Sequence, residues 1–283
     1  MVEALNSEGY PVSRVCKILN ISRSSYYSGL PKEEKKLTKT EMKTTRLLEK
    51  IEQIKTYHLY WGYRRIWAYL KYKEQYSISP GRVYRLMKTH NLLVEIKRYK
   101  AKRTPQKEKP RATEINQWWG IDMTKFYINS VGWVYLAIVL DWYSKMVVGY
   151  KLNVRSKSDD WIEALQEAIE LRCPKGSREY SLNLMSDNGS QPTSLKFESF
   201  TQLMGINHIT TSYCNPKGNA DTERFMRTLK EEIIYPNEFD TFVEAAREVE
   251  KFMNYYNQDY LHSSLNYLSP VDFETKLNYK NVA

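Results

Sequence analysis

The sequence of 283 residues predicts a mixed α/β protein with one central five-stranded sheet flanked by helices, preceded by all-α modules. Three observations predict this class. The patterns before residue 97 are helical, three consecutive β-like runs follow Arg111, and helical and strand patterns then alternate toward the C-terminus. Strands followed by alternating elements are typical of one sheet with helices packed on it.

Residues 1–30 predict a helix-turn-helix-like module, with breaks at residues 9–11 and 20–22. Apolar residues recur there at helical spacing, at Val12, Val15, Ile18 and Leu19. Ser22 is placed to cap a helix that starts at Arg23. Such a helix would present Arg23 and Ser24 to a major groove, although an ordinary small helical bundle gives the same pattern.

Residues 31–55, rich in Lys and Glu, predict an exposed connecting helix, and residues 56–96 predict a second helical DNA-binding module. The second module has apolar stripes at Ile66, Tyr69 and Leu70 and at Val83, Leu86 and Met87. Ser79 is placed to cap its second helix, with Pro80 at the first position. The outer face of that helix carries three candidates for phosphate contact, Arg82, Arg85 and Lys88, although a solvated face has the same composition.

Residues 97–112 predict a flexible basic linker, because eight basic residues and two prolines leave too little apolar surface for a core. Its candidate DNA contacts are Lys97, Arg98, Lys102 and Arg103. Through Arg111 the sequence has 26 basic and 10 acidic side chains, and the remainder has 17 and 23. This asymmetry favours a polyanionic partner, although a lysine-rich solvated surface would give the same excess.

Residues 113–283 predict the catalytic domain. Strands are expected at 118–128, 131–141 and 143–152, then a helix near 161–169, a short strand ending at Asp187, a helix at 195–204, a strand at 206–210, and helices from about Asp221 and Thr241. Asp122 would lie on the first strand and Asp187 just past the fourth. If those strands are parallel neighbours, the two carboxylates converge.

Three acids are the candidate catalytic residues. Asp122 interrupts an apolar strand, and a carboxylate there is costly to desolvate unless it is paired or holds a metal. A divalent cation shared with Asp187 and Glu223 would meet that requirement, and hard oxygen ligands favour Mg²⁺ or Mn²⁺ over Zn²⁺.

The helix that carries Glu223 is expected to deliver it to the metal. Its apolar stripe consists of Phe225, Met226, Leu229 and Ile233. Glu223, Arg227 and Lys230 share another face, since seven residues make close to two turns. Arg227, Lys230 and Lys217 of the preceding loop are therefore candidate DNA contacts.

Other polar and aromatic residues have competing interpretations. Asp141 is a candidate fourth acid or a solvated or capping group, Asp221 a cap, and His208 a structural residue. The tryptophans Trp118, Trp119 and Trp133 are expected in the core rather than as base-stacking platforms. The three cysteines, Cys16, Cys173 and Cys214, predict neither a disulfide framework nor a zinc site.

Three motifs together resemble the DDE transposases of bacterial insertion sequences: WWGIDMT around Asp122, SDNGSQ around Asp187, and NPKGNADTERFMRTLKEE around Glu223. These transposases are relatives of retroviral integrase with a ribonuclease-H-like fold. The sequence is most similar to the group whose second reading frame encodes an integrase-like protein. One departure is that Tyr260 and Leu261 precede His262, where the group usually has Arg and Pro.

The resemblance implies a metal-dependent enzyme that cleaves and joins DNA at the ends of a mobile element. Asp122, Asp187 and Glu223 fall on its catalytic triad for two Mg²⁺ (or Mn²⁺) ions, with Asp122 bridging both, and Lys230 falls on a DNA-contacting position. It further implies double-stranded DNA as partner, a homo-oligomer on DNA, and a first-reading-frame protein fused or acting alongside.

Two other functions stay open on the sequence: a transposase-derived DNA-binding protein, and a ribonuclease-H-like nuclease that cuts without joining. The sequence has no run of eighteen apolar residues and no signal-sequence pattern, so we expect a cytoplasmic protein that associates with the nucleoid when it binds DNA.

Overall fold

A computed structural model describes residues 2–29, 39–94, 110–211 and 219–282. Its contacts divide the chain into two compact units, Met1–Lys50 and Ile51–Ala283. The predicted linker contacts Lys97, Arg98, Lys102 and Arg103, and also Lys217 and Cys214, lie outside the described residues. In the part of the chain that the structure describes, no helix is sufficiently long and apolar to cross a membrane.

The first unit holds α1 (Val2–Ser7), α2 (Val12–Ile18), α3 (Arg23–Gly29) and the start of α4 (Lys39–Tyr57). As predicted, Ser22 caps α3, because its Oγ accepts a hydrogen bond from Ser25 N at 3.0 Å. Ile18, which the helical spacing grouped with Val12, Val15 and Leu19, is 76% exposed. The small core uses Cys16 instead, because positions 12, 15, 16 and 19 share one helical face and position 18 falls off it.

Helix α4 corresponds to the predicted connecting helix, but one side of it is not exposed. Leu47, Ile51 and Ile54 are buried, at spacings of four and three that place them on a single face. The prediction of an exposed helix missed this because three apolar residues among many charged ones are enough to form a buried stripe.

The second helical pair consists of α5 (Tyr63–Tyr72) and α6 (Pro80–Thr89). The predicted stripes are confirmed at Ile66 and Leu70 on α5 and at Val83 and Met87 on α6, all fully buried. Helix α6 begins as predicted, with Pro80 at its first position and Ser79 Oγ accepting from the backbone N–H of residue 82.

The five strands are β1 (Trp118–Ile128), β2 (Gly132–Asp141), β3 (Val147–Asn153), β4 (Asn183–Ser186) and β5 (Asn207–Thr210), in the sheet order β3-β2-β1-β4-β5. Strands β1, β2 and β3 are antiparallel, whereas β1, β4 and β5 are parallel. The predicted start of the third strand at residue 143 is wrong. The carboxylate of Asp141 accepts from Tyr143 N and Ser144 N and holds a turn there, which delays β3 to Val147.

Helices cover both faces of the sheet: α7 (Ser158–Arg172) and α8 (Leu195–Leu203) on one, α9 (Ala220–Leu229) and α10 (Phe242–Gln258) on the other, followed by α11 (Pro270–Val282). Odd-numbered residues of β1, such as Trp119 and Ile121, pack with α7 and α8. Even-numbered residues, such as Phe126 and Ile128, pack with α9 and α10. Asp122 therefore faces α9, because side chains alternate along a strand.

Glu232 lies in a π-helical turn (Lys230–Ile234) that continues α9, and it joins this turn to helix α5 within the second unit. Its carboxylate accepts from Trp61 Nε1 at 2.6 Å, and His58 Nδ1 lies 3.0 Å away. Arg65 lies 3.6 Å from the same carboxylate, and its guanidinium stands 4.6 Å from the centre of the Tyr260 ring. Charge and aromatic packing thus hold α5 against this turn and Tyr260.

Candidate active site

Asp122 is a half-buried carboxylate in the middle of β1. Burial, together with the negative charges of Asp187 and Glu223, raises its pKa from 3.8 to about 6, while a backbone hydrogen bond and Lys230 act in the opposite direction. The backbone bond comes from Met123 N, which donates to Asp122 Oδ1 at 2.8 Å. The ionised form of Asp122 is therefore destabilised, and a cation bound nearby would offset this destabilisation.

Asp187 follows β4, which runs parallel to β1 and pairs with it from Trp118 to Gly120. It is exposed, and Gly189 N donates to its Oδ1 at 3.1 Å. The predicted convergence of the two aspartates therefore has a basis in the strand register: Gly120 pairs with Met185, and two residues further along, Asp122 lies beside Asp187.

Glu223 lies in the first turn of α9, whose N-terminus is fixed against β1. Thr222 is fully buried and its Oγ1 accepts from Trp142 Nε1 at 3.0 Å. Asn219 is also buried and donates from Nδ2 to the Ile121 carbonyl at 3.3 Å. These two contacts hold the first turn of α9 near β1, where the negative charge of exposed Glu223 raises the pKa of Asp122.

Gly120 makes this close approach of α9 to β1 feasible. A Cβ at this position would lie 2.0 Å from Thr222 Oγ1, 2.4 Å from Trp142 Nε1 and 2.7 Å from Asn219 Oδ1. The prediction from sequence named the acids and overlooked the residues that place them. The glycine two residues before Asp122, in an otherwise bulky strand, was the available signal.

The three acids interact electrostatically without forming a closed ligand cage. Across residues 2–29, 39–94, 110–211 and 219–282, no three His, Cys, Asp or Glu side chains are grouped so that they could hold a metal ion. Asp187 and Glu223 nevertheless lie near enough to act on the pKa of Asp122. The assignment of these residues as metal ligands stays a prediction.

Comparison with known proteins identifies the family. An integrase core domain family matches residues 112–216, a second integrase core domain family matches 204–270, and an HTH-like domain family matches 43–100. The transposase for insertion sequence element IS904 of Lactococcus lactis is 32% identical over 208 residues, covering 69% of this chain and 80% of that protein. The chain belongs to the insertion-sequence transposases.

Other relatives agree with this assignment. The transposase InsD for insertion element IS2D of Escherichia coli is 24% identical to this transposase over 283 residues, covering 95% of this chain and 93% of that protein. The five-stranded mixed sheet is consistent with the ribonuclease-H-like integrase core that the resemblance implied.

Two solved structures are also similar. One is the simian T-cell lymphotropic virus intasome in complex with the PP2A regulatory subunit B56 gamma, with 16% identity, 79% of this chain and 73% of that chain covered, and a TM-score of 0.49. The other is the HTLV-2 integrase catalytic core domain in complex with magnesium, with 20% identity, coverages of 58% and 99%, and a TM-score of 0.44. The family assignment depends on the sequence relatives, because both TM-scores are below 0.5.

The described candidates for DNA contact are distributed over three regions of the transposase. Arg23 and Ser24 are exposed on α3, where the Ser24 hydroxyl lies 3.0 Å from that of Ser22. Arg82, Arg85 and Lys88 are exposed on α6, and Arg227 is exposed on α9. Lys230 is half-buried beside the acids and lowers the pKa of Asp122. Their contact with DNA stays a prediction.

The remaining acids have structural partners. Asp141 is fully buried and accepts from Asn116 N, Tyr143 N and Ser144 N, so it caps the turn after β2 and is not solvated. Burial raises its pKa, and those backbone bonds oppose the shift. Asp221 lies in the first turn of α9, after the N-cap residue Asn219, and forms an ion pair with Lys145 Nζ at 3.3 Å; its capping role stays a prediction.

Histidine and tryptophan predictions had mixed outcomes. His208 has the structural role expected: burial lowers its pKa, and its Nε2 lies 2.9 Å from the Oγ of buried Ser186. Trp119 is buried and Trp118 stacks on Trp142 with ring centres 5.5 Å apart. The prediction for Trp133 is wrong, because this residue is 53% exposed, near the turn of the β1–β2 hairpin.

Proposed function

We propose that this transposase cleaves the phosphodiester backbone at the ends of its element and transfers the freed 3′-hydroxyl to target DNA. Asp122, Asp187 and Glu223 would hold two Mg²⁺ (or Mn²⁺) ions for both steps. The observation that supports this most directly is the approach of β4 and α9 to β1, which brings Asp187 and Glu223 close enough to act on Asp122. Burial and these two carboxylates raise the pKa of Asp122 although Lys230 opposes them, so a bound cation would stabilise its ionised form.

The donor set fits hard divalent cations. All three donors are carboxylates, and His208, the histidine on β5, is engaged with Ser186, so the set lacks the nitrogen and sulfur ligands that zinc prefers. Closing the cage requires a shift of the exposed side chains of Asp187 and Glu223 toward Asp122. Bound there, divalent ions would activate the attacking oxygen and stabilise the leaving oxygen of each in-line displacement.

The protein's own residues would orient the DNA and keep the acids in place. Lys230, whose positive charge lowers the pKa of Asp122, would hold a phosphate beside the acids. Met123 N restrains one oxygen of Asp122, and Thr222 and Asn219 restrain the first turn of α9. Phosphodiester exchange by water and by a DNA hydroxyl requires no nucleophilic side chain.

DNA outside the active site would be held by the basic N-terminal half. We propose that residues 1–30 and 56–96 act as DNA-binding modules and that residues 97–112 carry basic contacts along the backbone. Action on two element ends favours a homo-oligomer on DNA, and a first-reading-frame protein would be fused or act alongside. We place this activity in the bacterial cytoplasm, on the nucleoid.

Incubation of the protein with labelled element ends and Mg²⁺ tests the proposal. Joined products support it, cut but unjoined DNA would indicate a nuclease, and shifted but uncut DNA a transposase-derived binding protein. Asp187→Asn should abolish cutting and retain binding, and equal loss of binding would reject its proposed role. Asp221→Asn is the matched control, because Asp221 lies in the same helical turn as Glu223 but pairs with Lys145.

Metal binding is measured separately from activity. Wild-type protein titrated with Mn²⁺ should show a rise in thermal unfolding temperature, because an ion that binds the folded state stabilises it. Asp122→Asn and Glu223→Gln should reduce this rise, whereas Asp221→Asn should leave it unchanged. An equal rise in all variants would place the ion elsewhere.

A further inference from the structure

A groove lies along the distal half of β1, and its lining includes Lys230, whose charge acts on Asp122. Strand β4 pairs with β1 only from Trp118 to Gly120, so this pairing ends before Asp122, and at the far end of β1 Ile128 pairs with Phe239. Residues 237–239 and the π-helical turn at Lys230–Ile234 lie beside β1 and enclose a groove of about 580 Å³. This volume is within the roughly 300–1,000 Å³ typical of ligand sites.

Three exposed aromatic rings line the groove. Tyr127, Trp133 and Tyr235 are 56%, 53% and 62% exposed, respectively. Tyr127 and Trp133 are direct partners in the β1–β2 register, and their rings meet edge to face with centres 5.8 Å apart. Grouped large apolar side chains in water are unfavourable and mark a surface that a partner covers.

The charges in the groove select an anionic partner at its active-site end. Lys125 is exposed and its Nζ stands 4.8 Å from the centre of the Trp133 ring. Lys230 lines the same groove and its positive charge acts on Asp122, so this residue links the groove to the acids. Glu238 supplies the acidic charge in the lining, beside Phe239.

Exposed rings beside lysines match the chemistry of unpaired nucleic acid. Each base has a π-face that can stack on Tyr or Trp, and each phosphate can contact a lysine. A duplex keeps its bases stacked on one another and cannot use the rings in this way. A protein or lipid partner would use the aromatic surface but would not require lysines at phosphate positions.

We propose that this groove binds an unpaired DNA strand next to the phosphodiester that is cut, with bases stacked on Tyr127, Trp133 and Tyr235 and phosphates on Lys125 and Lys230. This inference rests on the proposed transposase function and adds a subsite to it. The strand would leave the acids past Lys230 and follow the β1 edge toward the hairpin tip.

Binding measurements without metal separate this proposal from catalysis. The full chain carrying Asp187→Asn is titrated, in chelator, with a labelled single strand of about ten nucleotides and with a duplex element end. Adding Trp133→Ala or Tyr127→Ala should weaken single-strand binding roughly tenfold and leave duplex binding within about twofold. Trp133→Phe should retain binding, because it keeps a stacking face.

Two further variants complete the test. Lys125→Gln should reduce the slope of log affinity against log salt by about 0.7 for the single strand. Leu171→Ala, which removes an exposed apolar side chain of α7 outside the groove, should change neither affinity. The proposal would be overturned if Trp133→Ala bound the single strand as tightly as the wild type does, or if it lost affinity equally for the single strand and the duplex. Absence of cutting by the wild type would instead reject the proposed function.

Discussion

Thr222 on α9 lies directly against Gly120 on β1, so close that a Cβ on Gly120 would come within 2.0 Å of the Thr222 hydroxyl oxygen. Strand and helix thus meet where the strand lacks a side chain. The contact is two residues from Asp122 and one residue from Glu223. It links the positions of two of the three acids.

Gly120→Ala should therefore displace the first turn of α9. We expect a loss of about 1–3 kcal/mol in the free energy of unfolding, from overpacking, and a larger loss in cutting than in DNA binding. Urea unfolding and cleavage assays measure the two effects. Gly81→Ala is the control, because a Cβ at Gly81 meets no atom within 4 Å; a Gly120→Ala variant that cuts like the wild type would contradict this account.

Asp122→Asn should stabilise the metal-free protein at neutral pH. The pKa of Asp122 is about 6 in the folded protein and 3.8 ordinarily, so its ionised carboxylate destabilises the folded state. This destabilisation grows as the pH rises from about 4 and is complete above about pH 6. The gain should reach at most about 3 kcal/mol near pH 7.5 and vanish below about pH 4. Urea unfolding in chelator measures it. Glu114→Gln is the exposed control, and an Asp122→Asn gain independent of pH would reject this cause.

Metal binding should weaken as pH falls below about 6, because a proton on Asp122 then competes with the ion. Mn²⁺ titrations of wild-type protein at about pH 7.5 and about pH 5 should show this loss of affinity. Unchanged affinity would indicate that Asp122 does not bind the ion.

His262 should make the protein acid-sensitive. Burial and the nearby charges of Arg65, Lys145 and Arg224 lower its pKa from 6.5 to about 3. Unfolding exposes a histidine that takes up a proton, so stability is lost as pH falls below 6.5, by about 2 kcal/mol at about pH 5. His262→Phe should remove this part of the loss in urea unfolding, and His90→Gln, at an exposed position, should not.

Glu232→Ala should loosen helix α5. The Glu232 side chain is 7% exposed, and its loss leaves Trp61 Nε1 without its acceptor and Arg65 without its carboxylate. We expect about 3 kcal/mol of destabilisation and faster hydrogen exchange in α5. Glu248→Ala, which breaks an exposed pair with Lys251, should cost at most about 1 kcal/mol. Equal effects of the two would mean that Glu232 does not dock α5.

The sequence was sufficient for features that depend on neighbouring residues. Ser22 and Ser79 were identified as helix caps because a cap and its N–H lie three residues apart. Strand β1 was predicted at its observed bounds because its apolar run is long. The start of β3 and the exposure of Ile18 were missed, because each depends on a turn or helix face that a one-residue difference changes.

The sequence by itself predicted the three candidate acids and determined the basic stretch through Arg111 and the order of strands and helices, because motif, charge and periodicity are properties of the chain. Only the tertiary structure decided that Gly120 admits α9, that Asp141 holds a turn, and that Trp133 stands in a groove with Lys125 and Tyr235. Those relationships join residues far apart in sequence, and packing in three dimensions sets which of them meet.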